Sequence, residues 1–352
     1  MQKIALVVLF ATLAGALLAQ DNNAERAGLS WQFQSSGLVS SLRGICAVSD
    51  KIAWVSGTKG SFARTLDGGQ TWLADSVAGA TNLDFRDVQA FDAEHAILMS
   101  AGSGELSSIY TTADGGKNWQ LKHSNKIAEG FFNGFAFWDE HNGILVGDPV
   151  HGQLFVMLTA DGGNAWQPLP AASAPAVVQG EYGFAASGTN LAVHGKNHVW
   201  IATGGAIARV FHSSDRGKTW NVAVTPIVSG NASSGIFSIA FRDENHGVIV
   251  GGNYQEPNAA QANAALTTDG GKTWELIKNL TSMEYRSCVA YLTPSLLVAV
   301  GPSGSDYSND GGLTWARFSA EGFHTMSFAA SANIGWAAGA EGRIGKLVFK
   351  RD

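Results

Sequence analysis

The stretch TTDGGKTW, from Thr267 to Trp274, recurs along the chain and decides the fold. Each copy begins with Ser or Thr, followed by Asp two residues later, Gly at the fourth position after the start and Trp at the seventh. Six copies are present, and their aspartates are separated by 47, 47, 54, 54 and 41 residues: Asp67, Asp114, Asp161, Asp215, Asp269 and Asp310. A period of this length is typical of repeat architectures such as propellers. The pattern therefore indicates a structural repeat.

Short β-rich stretches in a common order precede the motif. A first apolar stretch is followed by a polar turn, a second apolar stretch ending in Gly, and a third strand that leads into the motif. Seven such openings are present, the first at Leu42 (LRGICAV) and the last at Phe323 (FHTMSFA). Strands at this spacing, without helical periodicity, predict an all-β fold, a seven-bladed β-propeller with four-stranded blades.

The last blade is incomplete at the C-terminal end of the chain. Its sequence ends GRIGKLVFKRD without a motif, whereas LSWQFQ around Trp31 is like the strand that follows the motif elsewhere. We therefore expect the N-terminal strand to complete the seventh blade and close the ring without an open edge. Seven tryptophans would then hold one structural register: Trp31, Trp72, Trp119, Trp166, Trp220, Trp274 and Trp315.

The residue types of the motif suit a turn between the third and fourth strands of a blade. Asp can accept backbone N–H groups of its own turn, Gly permits positive φ, and Trp can bury a large surface between blades. We interpret the six aspartates as fold determinants, and calcium or phosphate binding is the alternative.

The N-terminal segment reads as an export signal. Residues 1–19 combine a basic Lys3, an apolar run from Ile4 to about Leu18 and small residues near the end. We expect residues 20–352 to form one propeller domain, exported to the periplasm or the extracellular space, without a membrane span after signal removal and monomeric. Cys46 and Cys288 lie in apolar strand-like runs, so a disulfide and buried free thiols both remain open.

Composition and motifs argue against several functional classes. The net charge is -6 and no Lys/Arg run occurs, which argues against nucleic acid as a partner. Dinucleotide glycine fingerprints, haem attachment motifs and paired thiols do not occur, so no cofactor is expected. Four histidines recur at the turn between first and second strands, where they would be spread around the ring rather than form a metal site: His95, His141, His198 and His246.

The repeat resembles the Asp-box propellers, also called bacterial neuraminidase repeat proteins. These include sialidases, xyloglucanase-type glycosidases, sortilin-like receptors and the photosystem II assembly and stability factor family. The segment LRGICAVSDKIAWVSGTKGSFARTLDGGQTW, from Leu42 to Trp72, is most similar to the assembly-factor pattern. The resemblance covers essentially the whole chain after the signal and implies the propeller fold. The resemblance does not by itself imply a photosystem role or hydrolysis, because proteins of unrelated activity share this scaffold.

A candidate site lies on the face opposite the motifs. In a propeller, the links between blades and the loops between second and third strands share this face. The second residue of each opening should surround the central channel there: Arg43, Arg86, Asn133, Thr189, Phe237, Arg286 and His324. Three arginines at one repeat position offer fixed donors to carboxylates or other anions. Salt bridges between blades, with residues such as Asp87 and Glu284, are the alternative.

Two insertions extend over the same face. The link Gln167–Gly188 and the loop Gly251–Ala264 are the longest non-repeat segments, and function often lies on such loops. Together with the loop GDPVHG they add further candidates, for which solvated linker positions are the alternative: Asp148, His151, Glu181, Tyr182, Tyr254 and Glu256.

Two functions fit these candidates. A sialidase-type glycosidase would need an arginine cluster, a Tyr activated by Glu and an acidic acid/base residue. The pairs Glu181-Tyr182 and Glu284-Tyr285, with Asp87, are possible components, but neighbours on a strand point to opposite sides. The Phe-Arg-Ile-Pro opening of sialidases is replaced by Leu42-Arg43-Gly44-Ile45. The sequence therefore favours an exported, non-catalytic, assembly-factor-like propeller that binds a protein segment or a glycan, with a glycoside hydrolase as the alternative.

Overall fold

The computed structural model describes residues 28–278, 283–329 and 333–349. It confirms the predicted all-β fold: seven antiparallel sheets, each contributing one four-stranded blade, follow one another around a ring. The predicted signal at residues 1–19 lies outside the described residues. Within the described ranges, no helix is both long and apolar enough to cross a membrane.

The first three blades follow the N-terminal strand β1. That strand spans Leu29–Ser35. Blade 1 contains β2 (Leu42–Ala47), β3 (Ala53–Gly57), β4 (Ser61–Thr65) and β5 (Leu73–Ser76). Blade 2 contains β6 (Phe85–Ala90), β7 (Ala96–Ser100), β8 (Ser108–Thr112) and β9 (Gln120–Ser124), with a 3₁₀ turn at Gly104–Leu106. Blade 3 contains β10 (Phe132–Phe137), β11 (Gly143–Val150), β12 (Gln153–Thr159) and β13 (Gln167–Pro168).

The remaining blades begin after a two-residue strand in the long link, β14 (Glu181–Tyr182). Blade 4 contains β15 (Leu191–His194), β16 (His198–Ala202), β18 (Arg209–Ser213) and β19 (Asn221–Val224). The short β17 (Gly204–Gly205), between β16 and β18 in the chain, pairs with β14 and belongs to the sheet of blade 5. Blade 5 contains β20 (Ser234–Phe241), β21 (Gly247–Asn253), β22 (Ala264–Thr267) and β23 (Glu275–Leu276). Blade 6 contains β24 (Cys288–Tyr291), β25 (Leu297–Gly301), β26 (Gly304–Ser308) and β27 (Ala316–Ser319). Blade 7 contains β28 (Thr325–Phe328), β29 (Gly335–Ala338), a 3₁₀ turn at Ala340–Gly342 and β30 (Arg343–Phe349).

The ring closes between the two ends of the chain, as predicted. Strand β1 pairs with β30 along seven residues, from Leu29 opposite Phe349 to Ser35 opposite Arg343. Trp31 is buried in this blade, where its indole N–H donates to Ser305 of blade 6. The closing strand therefore contributes both backbone pairing and an aromatic side chain to the interface with the neighbouring blade.

The hydrophobic core lies between neighbouring blades. Second strands such as β3, β7 and β25 are buried at every residue, because both of their faces pack against other sheets. One cluster joins Ile97 and Met99 of blade 2 to Phe135, Leu145 and Trp166 of blade 3. The ring is thus held together by a series of apolar interfaces rather than by one central core.

The repeated motif forms the turn between the third and fourth strands. In its first copy, the Thr71 N–H and hydroxyl donate to the Asp67 carboxylate at 2.9 and 2.6 Å, and the Gly69 N–H donates to the Thr65 hydroxyl at 2.8 Å. Gly68 and Gly69 have φ of 75° and 85°, which favours glycine. In the fourth copy Arg216 takes the first glycine's place and keeps a φ of 61°. The aspartate is thus occupied by its own turn.

The cysteines are unpaired, and the histidines are engaged in separate local contacts, such as that of His198 with His212 at 3.1 Å. Cys46 and Cys288 are free thiols. Over the described ranges, no group of three or more His, Cys, Asp or Glu side chains is arranged to hold a metal ion. His95 and His246 instead donate a ring N–H to the carboxylates of Asp92 and Asp243 within their own turns.

Candidate functional site

A cavity of about 430 Å³ lies at the centre of the face opposite the motifs. Its lining comes from the starts of first strands, from links between blades and from loops between second and third strands. All seven blades or their adjoining links contribute, which places the cavity at the ring axis. We call it the central cavity; its polar and charged lining consists of Arg43, Arg86, Asn133, Asp148, Tyr182, Tyr254, Tyr285, Ser287 and His324.

β-Bulges present four of the lining side chains. The register between first and second strands shifts at Arg43 in blade 1, Arg86 in blade 2, Asn133 in blade 3 and Phe237 in blade 5. A bulge inserts an unpaired residue and re-aims its side chain. The repeat position that the sequence singled out is therefore a bulge position in these blades, and its side chains turn toward the cavity.

The link between blades 3 and 4 crosses the ring axis below the cavity. The Arg86 side chain donates to the carbonyl of Ala185 at 3.2 Å, and the Arg43 side chain lies 3.5 Å from the carbonyl of Ala186. On the other side, the Ser187 hydroxyl donates to the Ser287 carbonyl of blade 6 at 2.7 Å. This segment, Tyr182–Ser187, contacts blades 1, 2 and 6 and forms a floor, so the central cavity is a cup rather than an open channel.

The two arginines differ in how far their charge is compensated. Arg86 forms an ion pair with Asp84 at 2.7 Å. No acidic side chain lies within ion-pair distance of Arg43 among the described residues. Burial lowers the pKa of the Arg43 guanidinium, the positive charge of Arg86 lowers it further, and the more distant charge of Asp84 opposes both effects in part. An anion bound at Arg43 would offset both effects.

His324 and Asp148 also line the cavity, and burial shifts the pKa of both. Burial, followed by the charges of Arg43 and Arg343, lowers the pKa of His324 to about 4, so the imidazole is neutral near pH 7. Burial raises the pKa of Asp148. The Asp148 carboxylate accepts from the Asn133 amide at 2.9 Å and from the Gly183 N–H at 3.2 Å. Asp148 therefore fastens the floor segment to blade 3.

One wall of the cavity is aromatic. Phe184 and Phe237 stack face to face with ring centroids 3.9 Å apart, and Tyr285 meets Phe237 edge-on at 4.7 Å. Tyr254, from the loop Gly251–Ala264, lies edge-on to both phenylalanines at 6.4 and 6.2 Å. Tyr182 is edge-on to Phe184 at 5.7 Å. The link between blades 3 and 4, blade 5 and the start of blade 6 thus provide an aromatic wall in the same cavity as the arginines of blades 1 and 2.

Arg286, Glu181 and His151 lie outside the cavity lining. Arg286 is fully buried and donates to Asp306 at 2.5 Å, with Glu284 3.9 Å away. The pair with Asp306 lies within blade 6, so it is neither the expected salt bridge between blades nor a position at the mouth. Glu181 is buried and receives two hydrogen bonds from Arg209, so it anchors the long link. His151 is an exposed turn residue with a positive φ of 52°.

Glu256, Thr189 and Asp87 also lie outside the cavity lining. Glu256 is exposed on the loop that carries Tyr254, and Thr189 hydrogen-bonds to Ser238 inside the ring. Asp87 is buried, accepts the N–H groups of Phe135 and Val88, and burial raises its pKa to about 8. It therefore belongs to the interface between blades rather than to an exposed acid/base position.

Sequence reasoning missed the floor segment and one residue of the aromatic wall, Phe184. Phe184 lay within a long link whose course could not be derived from the repeat. The signal available in the sequence was composition: EYGF, at Glu181–Phe184, places two aromatic residues in an otherwise alanine-rich insertion. Such a cluster in a link between blades indicates that the link packs against something rather than extending into solvent.

Comparisons with known proteins agree on the fold. No protein-family model and no curated protein matches the chain. Among solved structures, YCF48 bound to a D1 peptide is 16% identical, with a TM-score of 0.66 over 91% of this chain and 95% of that one. YCF48 from Cyanidioschyzon merolae is 19% identical, with a TM-score of 0.60 over 90% of this chain and 98% of that one.

A glycosidase is similar in fold as well. The GH74 xyloglucanase from Xanthomonas campestris is 16% identical, with a TM-score of 0.59 over 90% of this chain. This chain spans about half of that enzyme, 53% of its length. At such identities the likeness concerns the propeller and not the residues of a site.

Proposed function

We propose that this protein is a non-catalytic binding propeller whose central cavity takes a carboxylate-bearing segment of another protein. The observation that carries the proposal is Arg43, a cavity-lining guanidinium without an acidic partner among the described residues. Arginine presents rigid donors that match a carboxylate. The likeness to a propeller bound to a peptide supports the choice of a protein segment over a glycan.

Hydrolysis is the alternative function, supported by the likeness to GH74 enzymes. Glycosidases use two carboxyl groups about 5 to 10 Å apart beside the scissile bond. Asp148 is the one carboxyl group among the described lining residues, and it is committed to the floor. A screen with xyloglucan oligosaccharides and aryl glycosides tests this alternative, and turnover that depends on Asp148 would replace the binding proposal.

Two finer assignments accompany the binding proposal. We assign the six repeated turns to the Asp-box class, because each copy pairs Ser or Thr with Asp two residues later as in the sequence family that it resembles. We also propose export after cleavage of residues 1–19, on the strength of their apolar run. N-terminal sequencing of the protein from the periplasmic or culture fraction checks the export, and an intact Met1 would overturn it.

Affinity capture with matched variants tests the binding function. The double variant Arg43→Gln, Arg86→Gln keeps side-chain hydrogen-bonding capacity but removes both charges from the cavity. We expect it to lose the partners captured by the wild-type protein. The variant Lys117→Gln, which removes one charge from an exposed motif turn on the opposite face, should keep them. An identical set of partners for the double variant and the wild type would overturn the proposal.

A further inference from the structure

We infer that the central cavity recognises an aromatic side chain held next to a carboxylate. This inference deepens the proposed function and rests on it, because it names the chemistry of the segment that is bound. It starts from two groups of lining residues, which we call the two halves of the cavity: Arg43 and Arg86 of blades 1 and 2, and five aromatic rings, Tyr182, Phe184, Phe237, Tyr254 and Tyr285. A ligand that satisfies only one half would leave the other half exposed to water.

The aromatic half is rigid and partly open. Phe184, Phe237 and Tyr285 are nearly buried, because they pack on one another and form the back of the wall. Tyr254 is 47% exposed and lies edge-on against that back layer. A half-exposed tyrosine held by packed aromatic rings offers a large contact surface at a low entropic cost, which is typical of residues that dominate binding interfaces.

The charged half accommodates one negative charge. Arg86 is already paired with Asp84, and its side chain also donates to the Ala185 carbonyl. Arg43 makes one long contact of 3.5 Å with the Ala186 carbonyl. Neutral His324 adds no further positive charge. The cavity therefore suits a single carboxylate at Arg43 rather than a polyanion.

The size and shape of the cavity limit what enters. A volume of about 430 Å³ lies in the lower part of the range of about 300 to 1,000 Å³ for small-ligand sites. The floor segment Tyr182–Ser187 prevents a chain from passing through the ring. One aromatic residue with its carboxylate can enter from above, whereas an extended segment would have to lie across the mouth. The carboxylate can belong to the chain terminus or to an acidic residue beside the aromatic one.

Peptide binding to the purified full-length protein tests the inference. Fluorescein-labelled hexapeptides share a Gly-Ser body and end in Phe with a free carboxylate, in Ala with a free carboxylate, or in Phe amide. A fourth peptide carries an internal Phe-Glu pair and an amidated end. We expect the peptide ending in Phe carboxylate to bind about tenfold or more tightly than the Ala peptide, since burial of a Phe side chain supplies that difference.

Matched variants show whether the two halves act as inferred. Tyr254→Ala should remove most of the preference for Phe over Ala and leave residual, salt-sensitive binding. Arg43→Gln should abolish the difference between free carboxylate and amide. Lys117→Gln should bind as the wild type does. Tight binding of the internal Phe-Glu peptide would identify an acidic side chain as the carboxylate source, and its failure would identify the chain terminus; both results support the inference.

The outcomes separate this inference from the proposed function. Equal binding of the Phe and Ala peptides, lost in Arg43→Gln, would overturn the aromatic preference and leave the carboxylate-binding function intact. Absence of binding by all four peptides would overturn the inference, and the affinity capture described above then decides the function independently. Tighter binding of an oligogalacturonate than of any peptide would overturn both in favour of an acidic glycan.

Discussion

At the scale of single residues, the motif aspartates convert a loop into a defined turn. The Thr71 hydroxyl and the Thr71 N–H donate to Asp67 and lower the pKa of its carboxyl group to about 2. The same hydrogen bond from the residue four positions later recurs at Asp269 and Asp310. A carboxylate satisfied in this way has little capacity left for a ligand, and the turn alone accounts for the recurrence of Asp at this position.

Acid unfolding tests this role for Asp67. Because the pKa in the folded state lies below the ordinary value, the carboxylate contributes stability that is present above about pH 4 and lost as the pH falls toward 2. We expect Asp67→Ala to lower the Tm at pH 7 by a few degrees and to flatten the decline in Tm between pH 4 and 2. Differential scanning calorimetry across this range measures both effects.

A neighbouring surface aspartate provides the control. Asp50 is exposed in the turn between β2 and β3. Asp50→Ala should leave both the Tm at pH 7 and the acid profile close to those of the wild type. If Asp67→Ala behaves like Asp50→Ala, the motif carboxylate contributes nothing measurable to the turn, and its recurrence requires another explanation.

At the scale of the strand, the two faces of β1 contribute unequally to the stability of the fold. Trp31 is buried against Phe318 and Phe323, with ring centroids 5.7 and 5.0 Å away. Phe33, two residues further along, is 53% exposed. We expect Trp31→Ala to reduce the free energy of unfolding by about 3 to 5 kcal/mol, as is usual for a buried aromatic residue.

The same strand supplies its own control. Phe33→Ala should cost much less, because little of its surface is removed from solvent. Urea unfolding followed by tryptophan fluorescence and circular dichroism measures the two variants under the same conditions. Equal losses for Trp31→Ala and Phe33→Ala would contradict the view that β1 closes the blade through its buried face.

Elements were more predictable from the sequence than the site was. The first strands beginning at Leu42 and Phe85 could be predicted because apolar stretches recur at a fixed distance before the motif. The orientation of the Arg286 side chain could not be predicted, because it depends on a partner, Asp306, that does not recur in the other blades. Asp306 occupies a position two residues before the motif where the other copies carry apolar or aromatic residues: Ala63, Tyr110, Met157, Phe211 and Ala265. That single acidic exception was the available signal for a buried pair.

At the scale of the whole molecule, the cavity is a product of ring closure. Arg43 and Arg86 come from the first two blades, His324 from the last, and the floor from the link between blades 3 and 4. Only a closed ring brings these segments to one axis. The hydrogen bond from the Thr325 hydroxyl to the Ser187 carbonyl, at 3.0 Å, ties the floor to the blade that β1 completes. Closure and binding are therefore expected to be coupled.

Removal of the closing strand tests this coupling. A chain that begins at Ser36 lacks β1, so β30 becomes an open edge with unpaired backbone groups, and the buried side chains of Phe323 and Leu347 lose their covering. Exposed edges promote association between chains. We expect a broad, less cooperative unfolding transition, concentration-dependent association in analytical ultracentrifugation, and loss of the binding that the intact protein shows at Arg43.

Complementation in trans distinguishes closure from general damage to the chain. A synthetic peptide covering residues 28–36 restores the missing pairing and the buried indole, so it should return the truncated chain to a monomer with a single transition and renewed ligand binding. The same peptide with Trp31→Ser retains the backbone pairing but lacks the side chain that packs on Phe323. It should restore markedly less, because the strand would then be held by its edge alone. A truncated chain that remains monomeric, cooperative and binding-competent without either peptide would show that six complete blades suffice to shape the cavity.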